Sequence, residues 1–205
     1  AAKKLHIDVV HVEAGLRSGD RSMPEELNRL LTDAIADLLL TPSPDGDANL
    51  KAEGVAAHRI HCVGNVMIDS LVDALARVQS LRRYAGFGCE AGGYGLVTLH
   101  RPSNVDDPDA LRAICGLLER TASRLRLVFP LHPRTRRNLE KAGLLAQLMG
   151  TRGLVLLEPC SYVRFMSIVF NCRFVITDSG GVQEEGPTLG VPVLGICYGV
   201  QLMAH

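Results

Sequence analysis

A short segment that begins at Asp178 has the residue types and spacing to bind an anion. It reads Asp-Ser-Gly-Gly and lies between an apolar run, typical of a buried strand, and a predicted helix over residues 182–189. Gly180 and Gly181 let the backbone approach a ligand closely, and the first amides of the helix are unpaired donors at the positive end of its dipole. The segment therefore favours a phosphate, although a tight strand-to-helix turn capped by Ser179 fits the same spacing.

Glu185 follows within the predicted helix, where its carboxylate would reach a sugar hydroxyl beside that phosphate, as acidic residues do in nucleotide-binding folds. The segment matches neither the G-x-G-x-x-G dinucleotide fingerprint nor the G-x-x-x-x-G-K-S/T loop. We therefore expect no nicotinamide cofactor and no P-loop here.

Four more polar residues follow apolar runs that predict strands. Glu13 ends the first such run, and His132 follows Leu-Val-Phe-Pro-Leu. His100 and Arg101 follow Leu-Val-Thr-Leu. Open α/β sheets keep their binding crevice at the carboxyl ends of the strands, so these residues and the Asp178 segment are expected along one such edge.

Two glutamates and a histidine could perform acid-base chemistry. Glu13 ends a predicted strand, Glu25 opens the following predicted helix, and His100 is available from another strand end. A purely structural interpretation also fits: Glu25 would close a capping box with Ser22, and Glu13 would pair with Arg17.

The elements that must position these residues alternate between strand and helix. Residues 5–15 predict a buried strand, and residues 22–40 predict one helix because apolar side chains recur at helical spacing. Continuous apolar strands alternating with helices predict parallel sheets covered on both faces, the α/β class. Further helices are predicted near 107–122, 135–149, 161–170 and 182–189, and further strands at 96–100, 125–132, 154–159, 173–178 and 191–196.

Composition excludes several classes of protein. The 205 residues carry 22 Lys+Arg against 22 Asp+Glu, so no global field recruits nucleic acid or an anionic membrane. The six cysteines form no C-x-x-C pair, which argues against a zinc site and a disulfide framework and for reduced thiols in the cytoplasm. No apolar stretch reaches the roughly 20 residues of a membrane span.

Five motifs in order resemble the non-hydrolysing UDP-N-acetylglucosamine 2-epimerases over nearly all of residues 5–194. The resemblance implies a glycosyltransferase-B-like fold with two Rossmann-like domains facing across a cleft. It also implies interconversion of UDP-GlcNAc and UDP-ManNAc for surface polysaccharide, and a homodimer. The motifs are HVEAGLRSGDRSMPEELNR, VGNVMIDSL, LVTLHRPSNVDD, PLHPRTRRNLE and ITDSGGVQEEGPTLGVPVL.

The same resemblance assigns roles. It implies catalytic roles for Glu13, Glu25 and His100, without deciding which glutamate is the acid and which the base. It implies contacts with the UDP moiety for Ser179, Gly180, Gly181 and Glu185. Arg101 and His132 also lie in matched motifs, which places them at the nucleotide or the active site.

An elimination makes chemical sense of these residues. H2 of the sugar is not flanked by a carbonyl, so its removal needs the C1–O bond to UDP to break at the same time. Addition of UDP back to the neutral glycal, with a proton on the other face, gives the epimer. No cofactor and no metal are expected, whereas the departing diphosphate needs cations and helix amides.

The sequence departs from the family at both ends. We expect a remnant of the amino-terminal domain at 1–66, a hinge and linker at 67–94, and a truncated UDP-binding domain at 95–205, with doubtful activity alone. The tail, 195–205, resembles the nucleophile loop of class I glutamine amidotransferases, especially GMP synthetase, but no His-x-Glu follows Cys197 to activate its thiol.

Two other functions remain open from the sequence. One is a UDP-sugar glycosyltransferase of the same fold, which would share the UDP site and need an acceptor site. The other is a catalytically inactive fragment that binds nucleotide sugars.

Overall fold

The computed structural model describes residues 2–196, which form two compact units. Unit 1 is Ala1–Ser70 and unit 2 is Leu71–His205. Helix α3, Val66–Ser80, crosses this boundary, and a 3₁₀ turn at Arg83–Phe87 follows it. The predicted Cys197 loop lies outside the described residues.

Unit 1 contains a three-stranded parallel sheet in the order β1-β2-β3. Its small core is formed by Ala14, Ala36, Leu39, Leu50 and Ile60. The elements are a 3₁₀ turn at Ala2–Leu5, β1 at Val10–Val12, α1 at Pro24–Ile35, β2 at Leu38–Thr41, α2 at Pro44–Ala52, a 3₁₀ turn at Ala57–Arg59 and β3 at Ile60–Cys62.

Unit 2 contains a five-stranded parallel sheet in the order β6-β5-β4-β7-β8, with one apolar cluster around Phe129 and another around Tyr94. The strands are β4 at Tyr94–Thr98, β5 at Arg126–Pro130, β6 at Leu154–Leu157, β7 at Phe174–Thr177 and β8 at Val193–Gly195. The helices are α4 at Pro102–Val105, α5 at Pro108–Ala122, α6 at Pro133–Lys141, α7 at Leu145–Gly150, α8 at Tyr162–Phe170 and α9 at Gly180–Thr188.

The strand order in unit 2 reverses between β4 and β7. From β4 the chain proceeds outward through β5 and β6, and it then returns to pair β7 with the opposite side of β4. Such a reversal leaves a crevice at the carboxyl ends of the two central strands. The loops after β4 and β7 begin at this switch point.

The predicted α/β class with parallel sheets is confirmed, but two predicted helices are wrong in extent. The helix predicted over 22–40 ends at Ile35, and Leu38–Thr41 is instead the central strand of unit 1. A short run of leucines satisfies either structure, and pairing with both neighbouring strands decides it. The helix predicted over 135–149 is divided by Gly143, which has a φ of 70°.

The first predicted strand is also shorter and less buried than expected. Only Val10–Val12 forms a strand, and Val10 and Val12 are 53% and 45% exposed. An apolar row on α1, formed by Leu27, Leu31 and Ile35, is exposed as well. Unit 1 therefore leaves apolar surface open on its first strand and its first helix.

Candidate functional site

One fully buried carboxylate, Asp178, joins the ends of β4 and β7. The His100 N–H donates to both of its oxygens at 3.0 Å, and the Arg101 N–H donates to Oδ2 at 2.8 Å. Asn104 Nδ2 donates to Oδ2 at 3.0 Å. The loop after β4 therefore takes its shape from a side chain of the neighbouring strand end.

Asp178 is ionised in this environment. Burial by itself would raise the pKa of its carboxyl, but the interactions with His100 and Asn104 and with the backbone amides of the loop outweigh burial and lower that pKa. His100 Nδ1 lies 3.1 Å from Oδ1. A negative charge is thus fixed beneath the histidine predicted to be catalytic.

The amino terminus of α9 lies beside the guanidinium of Arg101. Arg101 Nε donates to the backbone oxygen of Asp178 at 2.6 Å, and a Cβ built on Gly180 would lie 3.8 Å from Arg101 Nη2. Ser179 caps the helix, since its Oγ accepts from the Val182 N–H at 3.5 Å. Unpaired helix amides and a fixed cation at one place can bind a phosphate.

His132 caps α6 and lies near His100. Its Nδ1 accepts from the Arg134 N–H at 3.2 Å, and the centroids of the two imidazole rings are 5.6 Å apart. Partial burial, followed by the neighbouring charges of His100, Arg134 and Arg137, lowers the pKa of His132. The ring is therefore neutral at neutral pH, with Nδ1 as acceptor and Nε2–H free to donate.

Glu185 lies on α9 and is buried. The Tyr162 hydroxyl donates to Glu185 Oε1 at 2.6 Å. Burial raises the pKa of the Glu185 carboxyl, and the bond from Tyr162 only partly offsets this effect. Tyr162 had no sequence signal of its own, because its role depends on α8 packing beside α9.

Glu13 follows β1 with an unusual backbone conformation. Its φ is 65°, and His6, with a φ of 54°, is the only other described non-glycine residue with a positive φ. A non-glycine residue in this region is strained, and such strain is common where a side chain must be aimed. Glu13 is half-buried at the start of the loop that continues to Gly19.

Two buried carboxylates of α1 hold that loop. Asp33 contacts His11 Nδ1 at 2.5 Å, the Gly15 N–H at 3.1 Å and Arg17 Nη1 at 2.7 Å. The second carboxylate that holds the loop is that of Glu26. Glu26 accepts from the backbone amides of residues 18 and 19 at 2.9 and 3.0 Å, and these bonds lower its pKa although burial alone would raise it.

The structural interpretation of Glu13 and Glu25 is wrong. The residue that caps α1 is Met23, and the hydroxyl of Ser22 donates to Asp20 instead, so no capping box forms. Arg17 pairs with Asp33 and Glu53 rather than with Glu13. The carboxylates of Glu13 and Glu25 form no hydrogen bond or ion pair with another residue of the described range 2–196.

Two cavities in unit 2 do not coincide with the residues at the switch point. One of about 330 Å³ lies between α5 and α6, and one of about 250 Å³ lies beside Glu158 and Arg164. Within residues 2–196 no three His, Cys, Asp or Glu side chains are grouped to hold a metal ion. In the same range no helix is both long and apolar enough to cross a bilayer.

Comparison with known proteins gives one consistent family. The family model described as UDP-N-acetylglucosamine 2-epimerase matches residues 1–198. The UDP-N-acetylglucosamine 2-epimerase of Methanocaldococcus jannaschii is 39% identical over 198 residues, which is 94% of this chain and 54% of that protein. The UDP-2,3-diacetamido-2,3-dideoxy-D-glucuronate 2-epimerase of Pseudomonas aeruginosa is 40% identical over 195 residues, 94% of this chain and 52% of that protein.

A solved structure extends the similarity to the fold. The crystal structure of the M. jannaschii UDP-GlcNAc 2-epimerase in complex with UDP-GlcNAc and UDP matches with a TM-score of 0.84 at 38% identity, covering 94% of this chain and 54% of that one. The predicted glycosyltransferase-B-like class is thereby confirmed. This chain spans about half the length of the curated relatives that it matches.

Proposed function

Because this chain belongs to the UDP-N-acetylglucosamine 2-epimerase family, we propose that it takes part in the interconversion of UDP-GlcNAc and UDP-ManNAc. The observation that carries the proposal is the switch point of unit 2. There the Arg101 guanidinium lies beside the amino terminus of α9, and His100 is fixed next to it by Asp178. The guanidinium and the helix amides supply the positive charge that a departing diphosphate needs.

Unit 2 binds the UDP moiety in this proposal. The diphosphate contacts the amides at Gly180 and Gly181 and the hydroxyl of Ser179, with Arg101 and the Nε2–H of His132 as further donors. Glu185 Oε1 is engaged by Tyr162, which orients the carboxylate toward a ribose hydroxyl. Among the described residues, Arg101 Nη2 is the one atom within 4 Å of a Cβ built on Gly180, which leaves room there for a phosphate.

The reaction proceeds by elimination and re-addition. A base removes H2, the electrons of the C2–H bond form the C1=C2 double bond, and the electrons of the C1–O bond leave with UDP. UDP then adds back to C1 while a proton reaches C2 from the other face. Glu13 and Glu25, whose carboxylates have no partner among residues 2–196, exchange the proton, and His100 assists the departing oxygen.

A second candidate differs only in the sugar. The P. aeruginosa relative, named for a diacetamido-glucuronate substrate, is as similar to this chain as the relatives named for UDP-GlcNAc. The elimination and the UDP contacts would be the same for both substrates. The contacts at the sugar would then decide between them.

The finer parts of the proposal are a cytoplasmic location and a homodimer. Free thiols, including the exposed Cys62, suit a reducing compartment. The exposed row of Leu27, Leu31 and Ile35 on α1 presents apolar side chains at helical spacing, which suits burial against a second copy.

Turnover in heavy water tests the function. The chain is incubated with UDP-GlcNAc, or with UDP-2,3-diacetamido-2,3-dideoxy-D-glucuronate, and followed by proton NMR. Formation of the 2-epimer with deuterium at C2 supports the proposal and identifies the sugar. Transfer of the sugar to an acceptor would instead support a glycosyltransferase, and binding without turnover would support an inactive nucleotide-sugar-binding fragment.

A further inference from the structure

Asp178 is a buried charge for which the family motif suggested no role of its own. It is fully buried and follows β7 directly, one residue before the helix terminus that would hold phosphate. Its oxygens accept three N–H groups from the loop after β4 and from α4, which follows that loop. A buried carboxylate with this many donors is costly to replace, so its position is well defined.

The groups around the His100 ring come from three strand ends. Asp178 comes from β7 and lies 3.1 Å from Nδ1. His132 comes from the end of β5, with its ring centroid 5.6 Å away, and it is followed by Arg134 and Arg137. Arg101 is next to His100 on its own loop, and its guanidinium is bonded to the backbone oxygen of Asp178.

These surroundings distinguish the two ring nitrogens of His100. A lone pair on Nδ1 would face the carboxylate and be repelled, whereas a proton on Nδ1 is attracted to it. A free imidazole side chain prefers its proton on Nε2, so the carboxylate must reverse that preference. The His100 side chain is 40% exposed, and with Nδ1 at the carboxylate, Nε2 is the ring nitrogen left for a substrate.

We propose that Asp178 is a positioning residue that holds His100 as the Nδ1–H tautomer, with Nε2 as the nitrogen that exchanges a proton with the substrate. The same carboxylate fixes the Arg101 backbone, and with it the cation beside α9. The exchange of a proton between Nε2 and the substrate rests on the proposed function, whereas the tautomer of His100 does not. Because His100 is held as one tautomer, Nε2 can accept or return a proton without rearrangement of the ring.

Long-range proton–nitrogen NMR of the histidine rings in the 205-residue chain tests this inference directly. The His100 signals are assigned by their loss in His100→Gln. At a pH of about 8.5, where imidazoles are mostly neutral, we expect a pyrrole-type Nδ1 and a pyridine-type Nε2. The reverse pattern in the unsubstituted chain would overturn the proposal, whatever any variant does.

Two variants separate the charge of Asp178 from its effect on the loop. Asp178→Asn removes the charge, and we expect the ratio of the two His100 tautomers to move at least about tenfold toward Nε2–H, as loss of a charge-assisted contact implies. Asn104→Ala removes a different bond to Asp178 and keeps the charge, so the tautomer should stay as Nδ1–H. An unchanged ratio in folded Asp178→Asn, or an equal change in both variants, would contradict the proposal.

The same samples distinguish failure of this inference from failure of the proposed function. UDP is added to the unsubstituted chain while the ring signals of His100 are followed. A chain that keeps the Nδ1–H tautomer but binds no UDP contradicts the proposed function alone. A chain that binds UDP with the Nε2–H tautomer contradicts the positioning role alone.

Discussion

Buried carboxylates anchor both the loop after β1 and the loop after β4. In unit 1 the carboxylates lie close to their loop in the sequence, whereas in unit 2 the carboxylate lies far from it. Asp33 and Glu26 belong to the helix that follows β1, and Asp33 lies 18 residues from the Gly15 amide that it holds. Asp178 belongs to another strand and lies 78 residues from His100. The loop of unit 1 is thus a local structure, whereas that of unit 2 exists only when β4 and β7 are paired.

The two strands that precede these loops, β4 and β1, are also buried to different extents. Strand β4 is buried along nearly its whole length and lies between two apolar clusters, whereas β1 is an edge strand with Val10 and Val12 exposed. A carboxylate that acts across a well-packed sheet holds its loop rigidly, because neither strand end moves without the other. Unit 2 therefore suits a preformed phosphate site, and unit 1 depends more on α1 alone.

Removal of the imidazole at the switch point should have the largest effect. In a form of the protein that turns over UDP-GlcNAc, His100→Ala should lower kcat by about 10² to 10⁴-fold and change KM little, because proton transfer assists mainly the transition state. Initial rates measure both constants. His58→Ala, at an exposed site in unit 1, is the matched control. Equal losses in kcat and in affinity would indicate a binding role.

Replacing the two anchors should separate the two regions. Asp178→Asn should lower the free energy of unfolding by about 2 to 4 kcal/mol, since several donors lose a buried ionised partner. Urea unfolding measures the loss in the free energy of unfolding, and hydrogen exchange shows which residues are affected. We expect faster exchange along both β4 and β7 for Asp178→Asn, and only within residues 9–36 for Asp33→Asn. A similar spread for both variants would remove the distinction between local and long-range anchoring.

Native-state hydrogen exchange should show the difference in packing without any substitution. Amides in residues 1–60 should exchange at least about tenfold faster than those in residues 95–180, because unit 1 has a small core and an exposed edge strand. Mass spectrometry of peptides from the unsubstituted chain is sufficient. Equal protection in both regions would mean that unit 1 is covered in solution, which a dimer would explain.

Protonation of Asp178 at low pH should lower the stability of unit 2, and this is the smallest of the expected effects. The folded-state pKa of this carboxyl lies below its unfolded value of about 3.9, so its contribution to stability is complete above that value. The contribution is lost as pH falls toward the lowered folded-state pKa. Urea unfolding at a series of pH values below about 4 should therefore show a shallower decline for Asp178→Asn. Parallel declines would exclude Asp178 as a source of this pH dependence.

The sequence predicted most of the residues at the switch point for a simple physical reason. His100, Arg101, Ser179 and Gly180 follow apolar runs, and parallel strands carry their carboxyl ends to one edge, so the residues meet without knowledge of the strand order. The partnership of Asp178 with His100 does need that order. The sequence contains no indication that β4 pairs with β7, and so the anchor was not predicted.

The errors in unit 1 arise from competition between local patterns and burial. Leu38 to Leu40 continue the helical spacing of α1, and only pairing on both sides makes them a strand. The spacing from Ser22 selected Glu25 as the capping residue, yet Glu25 faces solvent and Glu26 faces inward with Asp33. The helix begins one residue later than a capping box with Ser22 would require, so the predicted box does not form.

The most direct test of the central claim, that the β4–β7 switch point holds the diphosphate, is UDP affinity after the helix terminus is filled. Gly180 is exposed, has no positive φ and has only Arg101 near its missing Cβ, so Gly180→Val should fold normally. Gly150→Val, at an open position at the end of α7, is the matched control. Calorimetry should give a dissociation constant for UDP that is at least tenfold higher for Gly180→Val, a loss of roughly 1.4 kcal/mol in binding free energy. Gly150→Val should leave the dissociation constant unchanged. Unchanged UDP affinity in folded Gly180→Val would contradict the claim.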